Sequence, residues 1–178
     1  MDMSLLLERL ASGVTLQEGR ALVAETDPEG LGEAFFAATA ERLGSAPDDA
    51  ARLARHWHAV SRRASDPAYA LRARAVGERV HGRWRSSARA FQAAATLATN
   101  ETQRLEFAIG AIDSLARAER HDEAIALGRR LARGLRAIGR VDLAARADLN
   151  VGNALLWQDR SAEAFRTLKR AAPHLASP

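Results

Sequence analysis

The sequence predicts an all-α fold, an array of antiparallel helix hairpins, and three observations predict it. Apolar residues recur at three- and four-residue spacing, as in Leu31, Phe35, Ala38 and Leu43, and again in Leu127, Leu131, Leu135 and Ile138. Helix start and stop signals punctuate the chain at short, regular intervals. Superposable helix starts return at Pro47-Asp-Asp-Ala50, Trp84-Arg-Ser-Ser87, His121-Asp-Glu-Ala124 and Ser161-Ala-Glu-Ala164, spaced by 37, 37 and 40 residues. No segment alternates with period two, so no strand is predicted.

The elements follow in order. Helices are expected over 3–12, 15–25, 28–43, 47–64, 67–81, 84–97, 101–118, 121–138, 141–157 and 161–172. Thr15-Leu-Gln-Glu18 is a capping box, in which hydroxyl and carboxylate satisfy each other's backbone donors. Asp27-Pro28 and Asp66-Pro67 each set an N-cap acid before a proline, whose missing N–H is no loss at the first helical position. Gly44 ends one helix and Ser45-Ala-Pro47-Asp48 starts the next. Asn100, with Gln103 three residues on, opens another. Each superposed start carries a small residue three positions in (Ala50, Ser87, Ala124, Ala164), where the second helix of a hairpin must approach the first.

Composition agrees. Of 178 residues 47% are apolar and only 5% aromatic, with alanine dominant, and small side chains let helix axes approach closely. The charged 27% is interspersed with apolar residues, which argues against a disordered chain. The net charge of +4 comes from arginine, Lys169 being the single lysine. That charge favours solubility and is weak support for nucleic-acid binding. The absence of cysteine excludes disulfides, thiolate metal sites and cysteine nucleophiles within these residues. Acidic residues flank the short apolar run Leu5-Leu6-Leu7, unlike a secretory signal, and no stretch is long enough for a membrane span. A cytoplasmic location is expected.

The repeat resembles the tetratricopeptide family, whose unit is two antiparallel helices in about 34 residues. The last unit carries the resemblance best. Val151-Gly152, then Ala164, Leu168 and Ala171, stand where that family has its Leu-Gly pair, small residue, bulky apolar residue and second small residue. The preceding unit gives Leu115, Ala124 and Leu131, with Ile112 in place of the glycine. The unit from about 68 gives Val76-Gly77, Val80, Trp84, Ser87, Phe91 and Ala94. The resemblance implies a right-handed superhelical α-solenoid. Residues 1–27 would form capping helices, followed by repeats over about 28–64, 67–97, 101–138 and 141–175 in one continuous domain. Long units rich in arginine and alanine are also similar to the repeat regions that precede caspase-like CHAT peptidase domains in bacteria. By that resemblance the chain would regulate an effector domain outside itself.

Function is expected to be protein or peptide binding. In tetratricopeptide arrays the first helices line a concave groove, and the matching positions are Arg74, Glu78 and His81, then Glu106, Ile109, Asp113 and Arg117, then Arg146, Leu149, Asn153 and Trp157, with Asn150 beside them. Asn153 matches a peptide-contacting asparagine, and Trp157 suits an anchor. Leu149 stands where chaperone-tail binders carry a lysine, which argues against recognition of a C-terminal carboxylate. The alternative is nucleic-acid or acidic-partner binding by Arg129, Arg133, Arg136 and Arg140, whose spacing puts them on one helix face. The blander reading of that strip is a solvated face whose aliphatic stems cover apolar surface.

Enzymatic activity is not expected, because no phosphate-cradling glycine loop, His-Glu-x-x-His or Gly-x-Ser-x-Gly occurs. No cofactor or metal is expected either. The residues of His56-Trp57-His58 point apart on a helix, and Trp57 reads as a core residue. Asp48-Asp49 fits the dipole of a helix start. At the C-terminal end Phe165, Leu168 and Leu175 should leave an apolar edge open to self-association or docking.

Overall fold

A computed structural model describes residues 2–25, 31–61 and 67–175. Among these residues the chain forms ten α-helices and no strand. None of those helices is long and apolar enough to cross a membrane. The helix starts at Pro47, Trp84, His121 and Ser161 stand where the sequence period puts them. The Thr15–Glu18 capping box is formed, and Asn100 accepts from the Gln103 N–H at 2.9 Å. Asp2 caps the first helix in the same way, a role its side chain was not assigned from sequence. The caps proposed at Asp27 and Asp66 lie outside the described residues.

The chain divides into two compact units, Met1–Arg83 and Trp84–Pro178. The division falls inside the repeat expected over 67–97. In the first unit α3 (Leu31–Arg42) packs on α4 (Pro47–Ser61), and α4 on α5 (Pro67–Val80). Both α1 (Met3–Ala11) and α2 (Leu16–Ala24) also pack on α4. Its core gathers Leu6, Leu10, Phe35, Leu53 and Trp57, with the Phe35 and Trp57 rings stacked at 6.4 Å. His56 is buried beside Trp57, and its ring fills the space that a side chain at Gly19 would need.

In the second unit each helix packs on the next: α6 (Trp84–Leu97), α7 (Glu101–Arg117), α8 (His121–Ala137), α9 (Val141–Leu156) and α10 (Ser161–Ala171). Helix α7 also packs on α9. All four small residues of the repeat, Ala50, Ser87, Ala124 and Ala164, are fully buried. The Ser87 hydroxyl lies 3.0 Å from that of Ser114 on α7, which itself donates to the Gly110 carbonyl, so neither polar group is stranded.

Glycine and bulk exchange places between successive hairpins. In the last, Gly152 of α9 admits the Leu168 side chain of α10, which a Cβ at that glycine would overlap. In the one before, Ile112 occupies the position matching Gly152, and Gly128 of α8 makes the room for it and for Val151. The bulky residue has changed helix, and Val151 of α9 comes closest to the Gly128 notch, with Ile112 beside it.

One turn joins these helices at four points. A residue with positive φ (Gly82 68°, Glu119 63°, Gly139 75°, Asp159 57°) is followed by an arginine (Arg83, Arg120, Arg140, Arg160). Each arginine N–H bonds back to a carbonyl five residues earlier at 2.8 to 3.0 Å, which closes the preceding helix in a Schellman motif. Its guanidinium then pairs with an acid beside the turn: Glu78 for Arg83, Glu123 for Arg120, Asp142 for Arg140 and Glu163 for Arg160.

At the C-terminal end Phe165 is 66% exposed and Leu175 is exposed too. Leu168, expected on that open edge, is instead half-buried against Gly152.

Candidate functional site

The groove residues expected from sequence lie in both units. In the first, Arg74 and Glu78 sit one turn apart on α5 and approach to 3.9 Å. Together with His81 they line a cleft of about 670 Å³, whose other wall comes from α2 and α4. Small residues line much of it, Ala51, Ala54, Ala59, Ala73 and Gly77, together with Leu16 and His58. Sequence reasoning missed Arg20 and Arg55, which also line it, because they lie on α2 and α4 and it looked only to first helices.

In the second unit, Asp113 and Arg117 on α7 form an i, i+4 pair at 3.1 Å. The Arg117 guanidinium lies 5.0 Å from the Trp84 ring centroid and 5.7 Å from that of Trp157. The Trp157 ring is 6.1 Å from His121. Four chain segments therefore meet here: the ends of α7 and α9 and the starts of α6 and α8. Trp157 stays 48% exposed, and the Arg117 side chain 47%. Two cation–π contacts therefore bracket the Arg117 guanidinium, and Trp157 stays half-exposed. Compared with family models, curated proteins and solved structures, the chain finds no match.

The remaining expected groove residues do not join this cluster as closely. Asn153 and Arg146 are exposed on α9, and Asn150 is half-buried. Glu106 lies toward the start of α7, where its charge acts on Arg140. Ile109 is buried in the core, and so the helical phase carried over from the tetratricopeptide pattern is wrong at that position. Trp84 was missed as a surface residue because it was read only as the start of a second helix. Its place at the first position of α6, with no earlier turn to cover it, was the available signal.

The four arginines of the expected basic strip do not share one helix face. Arg129, Arg133 and Arg136 lie on α8, which ends at Ala137, and Arg140 is the N-cap of α9. Three of the four are engaged with carboxylates. Arg129 reaches Glu163 at 2.8 Å, Arg136 pairs with Asp148, and Arg140 meets Asp142 at 2.8 Å. The Arg140 hydrogen bond is the main cause that holds the Asp142 carboxyl down at about 2. Arg160 first, then Arg129, lowers Glu163.

Asp148 is the one carboxylate side chain buried to this degree among the described ion pairs, at 2% exposed. It takes Arg136 from α8 and Arg170 from α10, the latter at 3.0 and 3.2 Å. These partners satisfy a charge that burial would otherwise penalise by several kcal/mol, roughly. The contact ties three helices together and is structural in character.

Proposed function

We propose that the chain is a helical-repeat adaptor of the tetratricopeptide kind, an α-solenoid, which holds a protein partner and performs no chemistry of its own. The observation that carries this reading is the Trp84–Arg117–Trp157 stack with its half-exposed outer indole. Tryptophan and arginine are the residues that dominate binding energy at protein interfaces, and rigid aromatic groups lose little entropy on contact. Asn153, exposed one turn before Trp157 on α9, supplies an amide able to bond an extended backbone. The resemblance of its long arginine-rich repeats extends the proposal to an effector of the CHAT peptidase kind as the partner, in the cytoplasm. Engagement of three strip arginines in ion pairs weakens the nucleic-acid alternative, since each bound phosphate would have to displace a carboxylate.

The test is selection of peptides from a displayed random library on the immobilised full chain. Selected peptides should bind in the micromolar range, and Trp157→Ala should weaken them by about tenfold or more while leaving the circular dichroism spectrum and melt unchanged. Selection that enriches nothing over a blank surface, or in which no selected peptide is weakened by Trp157→Ala, would overturn the reading.

A further inference from the structure

We propose that the cleft of the first unit is a second binding site, one that takes an acidic peptide segment of a partner; this deepens the adaptor reading and rests on it. Four arginines, Arg20, Arg55, Arg74 and Arg83, and one carboxylate, Glu78, line the space of about 670 Å³. Glu78 is already taken by Arg83, with Arg74 at 3.9 Å. Among the described residues Arg20 and Arg55 make no ion pair, and both are exposed at the rim. Unpaired arginines gathered at one concavity attract anions, and their planar forks match carboxylates two bonds at a time.

The floor decides which anion. Small residues run along it from Ala51 to Ala59 on α4, with Leu16 and His58 beside them, over about 12 Å at the helical rise, which is the length of roughly four extended residues. An extended segment laid there would put apolar side chains on the alanines and send carboxylates to arginines on opposite walls. Inorganic or nucleotide phosphates fit less well. Residues 51–59 and 73–77 lie within helices, so their N–H groups are already bonded and offer no backbone cradle, and the Glu78 carboxylate faces the same space. The site is also unlike the groove that the tetratricopeptide resemblance implies, because α2 and the second helix α4 supply half of it.

Gly77 provides a test that leaves every charge in place. A Cβ built there meets only the Ala54 Cβ, at 3.9 Å, an ordinary contact, and Gly77 itself lines the cleft. Fluorescence anisotropy would be read for the full chain with a labelled decapeptide alternating Glu and Ala, its Lys-for-Glu counterpart, and sodium tripolyphosphate as competitor. The acidic peptide should bind, should weaken as salt rises, and should lose about tenfold or more in affinity with Gly77→Phe and with Arg20→Glu/Arg55→Glu. Trp157→Ala should leave it unchanged. That separates this site from the aromatic one, so that either can fail alone. No binding of the acidic peptide, equal binding of the lysine peptide, binding indifferent to both cleft variants, or binding of tripolyphosphate in preference to the peptide would each overturn the assignment.

Discussion

At the scale of single residues, His56 links burial to acidity. Its ring is buried on α4 against Gly19 and Leu10. Burial, the largest cause, lowers its pKa below 6.5; a hydrogen bond with the Val14 backbone raises it, and the nearby Arg55 charge lowers it again. The unfolded chain therefore binds the proton more readily than the folded one. Stability is unaffected well above pH 6.5, falls as the pH drops from there to the folded pKa, and then levels off with respect to this group. Thermal melts should show a lower midpoint at pH 5 than at pH 7.5, and His56→Gln should shrink that difference. A difference as large in the variant would place the acid sensitivity elsewhere.

Among elements, the exchange of glycine and bulk makes a mutational cycle informative. Gly152→Leu should overpack the contact with Leu168 and cost about 1–3 kcal/mol. Leu168→Gly should leave a cavity and cost about as much or more. The double variant, which copies the Ile112–Gly128 arrangement of the preceding hairpin, should recover most of the loss in urea unfolding. Strict additivity would show that the two positions do not share one space. Helix starts were legible from sequence because capping, proline placement and a small residue three positions in are local signals; the small residue is the one that the starts at Pro47, Trp84, His121 and Ser161 all carry. The exchange was legible only in half: Ile112 stood out as a missing glycine, but the compensating Gly128 lies across the hairpin, beyond any local pattern. The shared arginine turns were missed for a different reason. Their signal is one residue of positive φ followed by arginine, and at Glu119 and Asp159 that residue is not the glycine that marks such a conformation.

For the molecule as a whole, the exposed C-terminal edge gives a concrete expectation. Phe165 is the most exposed large apolar side chain among the described residues, and sedimentation velocity at rising concentration should detect self-association that Phe165→Glu removes. A monomer at every concentration, in both proteins, would mean that this edge tolerates water. Leu168→Glu is a poor probe, because its side chain also fills the Gly152 notch. The candidate surfaces were the least legible feature. Arg74, Glu78, Asp113, Arg117 and Trp157 could be picked by helical phase, yet their neighbours Arg20, Arg55 and Trp84 come from segments distant in sequence, and only folding brings them alongside. The arginine turn bears on how such a chain can lengthen. A tandem copy of residues 121–160 placed after Arg160 would find a compatible joint at each end, since Asp159-Arg160 can precede His121 as Glu119-Arg120 does. The side chains would object. The original Gly152 would then face the copy's Gly128 where it now faces Leu168, and a hole the size of an isobutyl group would open between the helices. A tandem copy is thus compatible with the loops but not with the knobs, and the added pair of helices would pack well only with one of the facing glycines refilled.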